Sequence, residues 1–340
     1  MDKHKNLSIF VPHEGCPNQC SFCDQKKISG TQNPPTSQEV ADLCEEFLPR
    51  DQEAGKSYEI AFFGGSFTAI DRGYMLSLLQ AAYPFVQSGR AFGIRVSTRP
   101  DAIDEEILGI LKEYGVSSIE LGAQSMQDEV LQLNLRGHSV QSVFTSSQLI
   151  KAQGFSLGLQ MMTGLYGQKN YMAYAIDTAK KFIQIRPDTV RIYPTITLKD
   201  TLLEQLYSQG LYTPPTLQES VKICAVVAEM LRKEGIKIIK LGLHADVSLE
   251  NGMVAGPYHP AFKELVDSRI CLEKLTEILS KKPVGSYTIG VGTRFLSQSI
   301  GQKKSNVEAL DKLGYKVKFM ADNTLLCGEY KILSEDKQCI

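Results

Sequence analysis

The chain has 340 residues, 43% of them hydrophobic and 22% charged, and its formal net charge is −1 at pH 7. These values are ordinary for a globular protein, and they exclude a basic field over the whole molecule, so a nucleic acid would have to meet a local patch. No run of 18 apolar residues occurs and the N-terminal residues are polar, so we expect neither a membrane span nor a signal peptide and predict a cytoplasmic protein.

Short β-branched runs alternate with longer amphipathic runs, which is the pattern of repeated βα units in a parallel sheet. Strands are predicted at residues 8–11, 58–63, 92–97, 118–122, 155–162 and 189–194. Eight such units close a barrel, so this series predicts an α/β fold with an open, partial (β/α)6 barrel of the TIM type. A helix at 217–233 and an apolar run at 236–241 are interpreted as an extension, and residues 1–250 form the first predicted region.

The first predicted strand leads into a loop in which Cys16, Cys20 and Cys23 are spaced C-x3-C-x2-C. Three thiolates on one tight loop can bind three irons of a [4Fe–4S] cluster and leave one iron open for another ligand. A zinc site is an alternative, with His13 as its fourth ligand. Disulfides are disfavoured by the tight spacing and by a reducing compartment. Three buried thiols without a ligand role are the remaining alternative.

Glycine and polar residues follow the ends of the predicted strands, which is where the chemistry of such barrels collects. They are Gly64, Gly65, Ser97, Gln124 and Gln160 and, in a later loop, Arg136 and His138. Adjacent glycines let a ligand approach backbone N–H and C=O groups closely. The plainer alternatives are a tight turn at the glycines, a structural hydrogen-bond network at Gln124, and a solvated loop at Arg136 and His138.

On these residues the sequence resembles the radical S-adenosylmethionine (SAM) enzymes. Within them it is most similar to the radical domain of the catalytic subunit of Elongator. The resemblance extends over about residues 8–245 and rests on segments 16–23, 64–65, 97–101, 120–125, 134–138 and 191–195. It implies that Cys16, Cys20 and Cys23 bind the [4Fe–4S] cluster. It also implies a set of SAM-binding residues, namely Gly64, Gly65, Ser97, Gln124, Arg136 and Gln160.

The resemblance implies reductive cleavage of SAM to a 5′-deoxyadenosyl radical, which requires an electron donor such as ferredoxin or flavodoxin. Relatives often carry Glu where this chain has Ser97. The residues after the barrel are too few for the acetyl-coenzyme A domain of the Elongator subunit, so we do not expect acetyl-coenzyme A chemistry on this chain.

Residues 251–283 are predicted as a helical linker and residues 284–340 as a small α/β module. The module is similar to a KH-type RNA-binding core, in which an Ile-Gly-x-x-Gly loop clamps the nucleic-acid backbone. Here residues 300–304 read Ile-Gly-Gln-Lys-Lys, with Lys304 in place of the second glycine. Because basic residues dominate this segment, we predict that Lys303 and Lys304 contact RNA. A structural cap with solvated lysines is the alternative.

The predicted function is therefore radical SAM chemistry on RNA, and the Elongator resemblance suggests a tRNA base near the anticodon. One alternative is the same chemistry on a small molecule, in the manner of the porphyrinogen oxidases. The other is a non-catalytic RNA-binding protein.

Overall fold

The computed structural model describes residues 4–11, 16, 19–24, 33–244, 247–326 and 328–336. Its main element is a parallel sheet of seven strands that curls into a half-barrel, which confirms the predicted partial barrel. In spatial order the strands are β1 (Lys5–Val11), β2 (Tyr58–Gly64), β3 (Gly93–Thr98), β4 (Val116–Gln124), β5 (Ser156–Thr163), β6 (Thr189–Pro194) and β8 (Lys237–Leu241). The run predicted as an extension is the seventh strand, β8, because it pairs in parallel with β6.

The remaining strands form two smaller sheets. The first is an antiparallel pair, β7 (Thr197–Leu198) and β9 (Met253–Ala255). The second has the order β11-β10-β12 and consists of β10 (Gly285–Val291), β11 (Tyr315–Ala321) and β12 (Tyr330–Asp336). In it β10 is parallel to β11 and antiparallel to β12. The sequence predicts strands at residues 286–291 and 316–320, which correspond to β10 and β11, but it missed β7, β9 and β12, whose short or polar runs carry little periodicity.

Most helices begin at a side chain that caps their first turn. Thr36 and Glu39 form a reciprocal capping box, as do Thr216 and Glu219. The helices are α1 (Ser37–Phe47), α2 (Gln52–Gly55), α3 (Arg72–Gln87), α4 (Glu105–Glu113), α5 (Asp128–Leu133), α6 (Val140–Ala152), α7 (Tyr171–Ile185), α8 (Leu202–Ser208), α9 (Leu217–Lys233), α10 (Val247–Gly252), α11 (Phe262–Leu279), α12 (Leu296–Ile300) and α13 (Ser305–Lys312). Across the described ranges, none of them has the length and apolar character needed to cross a membrane.

The strands of the main sheet alternate their side chains between an apolar and a polar face. On β3, Ile94 and Val96 belong to the largest buried apolar cluster, which packs against the helices. Arg95 lies between these two residues and Ser97 follows them, so the side chains of Arg95 and Ser97 point to the concave face of the half-barrel. The same alternation on every strand brings the polar candidate residues to this concave face.

One helix joins the half-barrel to the C-terminal sheet. The N-terminal part of α11 places Val266 and Ile270 in the main apolar cluster. Its C-terminal part places Leu275 and Leu279 in the cluster under the C-terminal sheet. The segment predicted as a linker is therefore a packed helix that contributes to both cores. The limits of the predicted regions, at residues 250 and 283, stay predictions.

Candidate functional site

Buried polar contacts hold the cysteine turn at the loops that follow β4 and β5. The Ser21 N–H donates to the Asn134 carbonyl oxygen at 3.1 Å, and the Ser21 hydroxyl donates to Asn134 Oδ1 at 2.7 Å. Asn134 in turn donates through Nδ2 to the Tyr166 carbonyl oxygen at 2.9 Å. The Leu203 N–H of α8 donates to the Ser21 carbonyl oxygen at 2.8 Å. The turn at Ser21 is therefore fixed by direct partners from two distant segments, and Asn134 ties it to a third.

Phe22 anchors the same turn by apolar packing. It is 8% exposed and shares a buried cluster with Cys20, Leu165, Leu203 and Tyr212. The aromatic residue before the last cysteine therefore has a packing role, and it withdraws the neighbouring thiol of Cys20 from water.

The three cysteines of the motif lie close enough to affect one another. Burial raises the pKa of Cys23, and the neighbouring charges of Cys20 and Cys16 raise it further. Burial and the charge of Cys20 likewise raise the pKa of Cys16. Three adjacent thiolates repel one another unless a cationic group neutralises them, and bound metal supplies that charge. The thiols therefore fit the predicted iron–sulfur group.

The arrangement does not match a single metal ion. Within the described part of the chain, no three His, Cys, Asp or Glu side chains are placed to hold one ion together. A cluster does not require this, because each thiolate binds a different iron atom. His13, the fourth ligand of the zinc alternative, lies outside the described residues.

Gly64 brings the end of β2 against β1 and beside the cysteines. Its φ is +119°, and a Cβ at this position would lie 2.6 Å from the Val11 carbonyl oxygen. The Gly65 N–H donates to that same oxygen at 2.8 Å. The next backbone N–H, that of Ser66, donates to Cys16 and acts to lower its pKa. The glycine pair is therefore a tight turn that also delivers backbone groups to the cysteine loop.

Arg136 connects the cysteine turn to the end of β4. Its Nη1 donates to Cys20 Sγ at 3.1 Å, and its Nη2 donates to the Gly122 carbonyl oxygen at 2.6 Å. Its Nε is buried and has no hydrogen-bond partner among the described residues. Because buried donors are nearly always paired, this Nε suits an acceptor group on a bound molecule.

Two more buried nitrogen atoms without a hydrogen-bond partner among the described residues lie near Arg136, a donor on Arg99 and an acceptor on His138, whose other ring nitrogen donates to the Ala123 carbonyl oxygen. Arg99 forms a bidentate pair with Asp101 at 2.9 and 2.8 Å, but its Nη1 is buried and unpaired within the described chain. His138 Nδ1 is also buried and unpaired there, and burial and the Arg136 charge lower the His138 pKa to about 4. The ring is therefore neutral at pH 7. Arg99 belongs to the polar residues at the end of β3 but was not among the SAM-binding residues that the sequence predicted.

Gln124 and Gln160 meet on neighbouring strands. Gln160 Nε2 donates to Gln124 Oε1 at 3.2 Å. Gln124 has a φ of +62°, which is costly for a residue with a side chain and is typical of functional turns. Ser97 lies one strand away, half-buried on the concave face and in register with Glu120. These three predicted residues therefore share one face of the sheet.

Lys303 and Lys304 lie in the C-terminal sheet module, in the turn between α12 and α13. Gly301, Lys303 and Lys304 have φ values of +80°, +52° and +65°. A Cβ at Gly301 would lie 2.5 Å from Ser305 Oγ, so the glycine is required. Both lysines are exposed and hold a left-handed conformation that glycine adopts more cheaply. Three left-handed residues within four positions therefore make this turn sharp, and contact of the two lysines with RNA stays a prediction.

Two family models match consecutive parts of the chain. The first is the Radical SAM superfamily, over residues 10–173, and the second is the Radical SAM C-terminal domain, over residues 187–271.

The chain is similar to a tRNA uridine(34) acetyltransferase of Methanocaldococcus infernus, at 28% identity over 151 residues, which are 42% of this chain and 27% of the relative. It is also similar to the heme chaperone HemW of Bacillus subtilis, at 26% identity over 253 residues, which are 73% of this chain and 65% of the relative. The chain spans 27%, 36% and 52% of the lengths of the first three curated relatives it matches.

Among solved structures, the chain is similar to archaeal Methanocaldococcus infernus Elp3 with an N-terminal deletion, at a TM-score of 0.61 and 19% identity. The match covers 87% of this chain and 68% of that one, and it shows a shared fold. The two consecutive models together match most of the chain. It therefore belongs to the radical SAM superfamily, with a radical SAM region like that of Elongator's catalytic subunit, and it is an enzyme whose cofactors are a [4Fe–4S] cluster and S-adenosylmethionine.

Proposed function

We propose that this enzyme modifies a nucleotide of tRNA by radical SAM chemistry. The observation that carries the proposal is the meeting of the cysteine turn, the Gly64–Gly65 turn and Arg136 at one end of the half-barrel. The choice of tRNA is supported by relatives named tRNA uridine(34) acetyltransferase, whose radical SAM region this chain resembles.

The placement of the site residues supports the following roles. Cys16, Cys20 and Cys23 would hold the cluster, which with SAM supplies one-electron chemistry when both are bound. The backbone groups of Gly64 and Gly65, in the turn beside the cysteine loop, would receive the amino group of the SAM methionine.

The polar side chains would hold the rest of the cofactor. The unpaired buried Nε of Arg136 suits the carboxylate of SAM. Gln124, Gln160 and Ser97 lie on the concave face and would contact the ribose. Arg136 and Gln124 are buried, which would limit the access of water to the reacting centre.

RNA would be bound in part by the C-terminal module. Lys303 and Lys304 present their ammonium groups on an exposed, sharply turned loop, which suits contact with a phosphate backbone. A soluble one-electron donor such as ferredoxin or flavodoxin would reduce the cluster.

A second candidate is radical SAM chemistry on a small molecule. It is supported by the similarity to HemW, which covers 73% of this chain, more than the tRNA uridine(34) acetyltransferase match does.

The two candidates are separated by comparing a deletion strain with its parent. Total tRNA is digested and its nucleosides are measured by mass spectrometry, and small metabolites are extracted from the same cultures. We expect one modified nucleoside to disappear and to return with the wild-type gene but not with Cys20→Ala. An unchanged nucleoside profile with a changed porphyrin pool would favour the second candidate. Purified, anaerobically reconstituted protein without iron would contradict both.

A further inference from the structure

The concave face of the half-barrel carries two adjacent cations on its β6–β8 side. Arg191 of β6 and Lys240 of β8 are register partners on neighbouring parallel strands, so their side chains leave the sheet on the same face. The Arg191 guanidinium lies over the ring of Phe63 on β2, 5.0 Å from its centroid. A side chain of β6 thus crosses the inside of the half-barrel and reaches β2.

The carboxylates of Glu59 and Glu120 on this face are already paired with arginine side chains. Arg95 pairs with Glu59 at 2.7 Å and with Glu120 at 2.8 Å. Arg191 pairs with both oxygens of Glu120, at 2.7 and 3.0 Å. With Lys240 included, this network therefore contains three cations but only two carboxylates.

Lys240 is the cation of this network that has no carboxylate partner among the described residues. Its Nζ lies 3.2 Å from His244 Nδ1, and no ion pair joins it to a carboxylate in the described part of the chain. Burial and the Arg191 charge lower its pKa. Like charges on directly neighbouring strand positions are destabilising, so the fold retains a pair that costs stability. A bound anion would offset that cost.

The geometry suits an anion with several oxygens. Arg191 is held in place by Glu120 and by a hydrogen bond with Tyr193, so its planar group is preorganised. Lys240 is a flexible point charge beside it. Phe10 and Phe63, with ring centroids 6.1 Å apart, add an aromatic surface on the opposite strands. Bases stack on such surfaces while cations hold the phosphate.

We propose that Lys240 and Arg191 form the substrate's phosphate site inside the half-barrel. The inference rests on the proposed function: the phosphate is the phosphodiester next to the tRNA nucleotide that is modified. A phosphate ester of a small molecule has the same oxyanion chemistry, and the experiment separates the two sources.

The test compares Lys240→Met with Lys237→Met in the reconstituted full chain. Lys237 is the first residue of the same strand and is exposed, so its substitution removes the same charge away from the site. Binding of a tRNA anticodon stem-loop is measured between about 50 and 200 mM salt. For Lys240→Met we expect about tenfold weaker binding and a slope of log K against log salt that is smaller by about 0.7. Lys237→Met should bind the stem-loop with the affinity and salt dependence of the wild type, and Lys240→Arg should restore binding.

A second arm uses inorganic phosphate alone. We expect phosphate to raise the Tm of the wild type and of Lys237→Met more than that of Lys240→Met, because general salt effects act equally on all three proteins.

Three outcomes would contradict part of the proposal. If both Met variants bind RNA with the same slope of log K against log salt, the phosphate site is overturned and the proposed function stands. No RNA binding by the wild type, together with a phosphate shift that Lys240→Met loses, removes the tRNA proposal and assigns the site to a small phosphate ester. If the wild type binds no RNA and its phosphate shift equals that of Lys240→Met, the site is overturned.

Discussion

Arg136 donates a hydrogen bond from Nη1 to Cys20 Sγ at 3.1 Å, although 116 positions separate the two residues in the chain. The same guanidinium donates to the Gly122 carbonyl oxygen, so one side chain ties the predicted cluster loop to the end of β4. We infer that Arg136 would position the cluster loop in addition to contacting SAM, because its charge lies beside a thiol that would be a negatively charged ligand of the cluster.

Replacing Arg136 should lower the reduction potential of the cluster. A hydrogen bond and a positive charge at a ligand sulfur favour the more negative, reduced cluster. We expect Arg136→Met to shift the potential downward by about 60 mV, which is a tenfold change for a one-electron couple. The shift is measured by redox titration followed by electron paramagnetic resonance. Arg136→Lys keeps the positive charge, so its reduction potential should lie between those of the wild type and of Arg136→Met. A variant with full iron content and an unchanged potential would contradict this role.

Replacing Asn134 should loosen the cysteine turn. Asn134 accepts from Ser21 and donates to the Tyr166 carbonyl oxygen, all in a buried setting. Asn134→Ala leaves these groups unpaired, so we expect the free energy of unfolding to fall by about 2–3 kcal/mol and the iron bound per chain to decrease. Both are measured on anaerobically purified protein.

The control for Asn134 is Asn170, which caps α7 at an exposed position. Asn170→Ala should cost about 1 kcal/mol of stability but leave the iron content unchanged. Equal iron content in the two variants would show that Asn134 does not hold the cysteine turn.

Replacing Gly64 should destabilise the fold. Its φ is +119°, and a Cβ at this position would lie 2.6 Å from the Val11 carbonyl oxygen, so there is no room for a side chain. We expect Gly64→Ala to lower the free energy of unfolding by about 2 kcal/mol or more, measured by denaturant titration. Gly109 is the matched control, since it lies in α4 with nothing within 4 Å of its Cβ position. Gly109→Ala should raise stability by about 0.5–1 kcal/mol. Equal effects of the two substitutions would contradict the strain argument.

Stability should fall in mild acid because of His138. The folded protein holds this imidazole with a pKa near 4, lowered from 6.5 chiefly by burial. Between these two values the unfolded chain binds more protons, so this contribution to stability is present above about pH 6.5 and is lost as the pH falls toward 4. The expected loss is about 2 kcal/mol between pH 7 and pH 5.

The pH effect is measured as the free energy of unfolding of the wild type and of His138→Gln over that range. The variant should lose less stability than the wild type, because its side chain does not titrate. Asn170→Ala removes an exposed side chain that does not titrate, so it serves as the control and should keep the wild-type pH dependence. Parallel curves for the wild type and His138→Gln would refute the assignment to His138.

The half-barrel could be predicted from the sequence because its causes are local. The alternation of β-branched and amphipathic runs indicated the strands, and short right-handed connections placed consecutive strands side by side. Spacing alone singled out Cys16, Cys20 and Cys23 as candidate cluster ligands, and the position at a strand end singled out the glycine pair. The edge strands β7, β9 and β12 were missed because short strands are defined by their partner and not by their own periodicity.

The sequence by itself determined the superfamily chemistry of this protein: the cysteine spacing, the order of the strands and the polar residues at their ends. Tertiary structure decided which of those polar residues meet. The contacts of Arg136 with Cys20, of Arg191 with Glu120 and of Lys240 with His244 depend on how strongly the sheet curls. Curvature is set by the packing of all the strands and helices together, so no local pattern encodes the contacts that it creates inside the half-barrel.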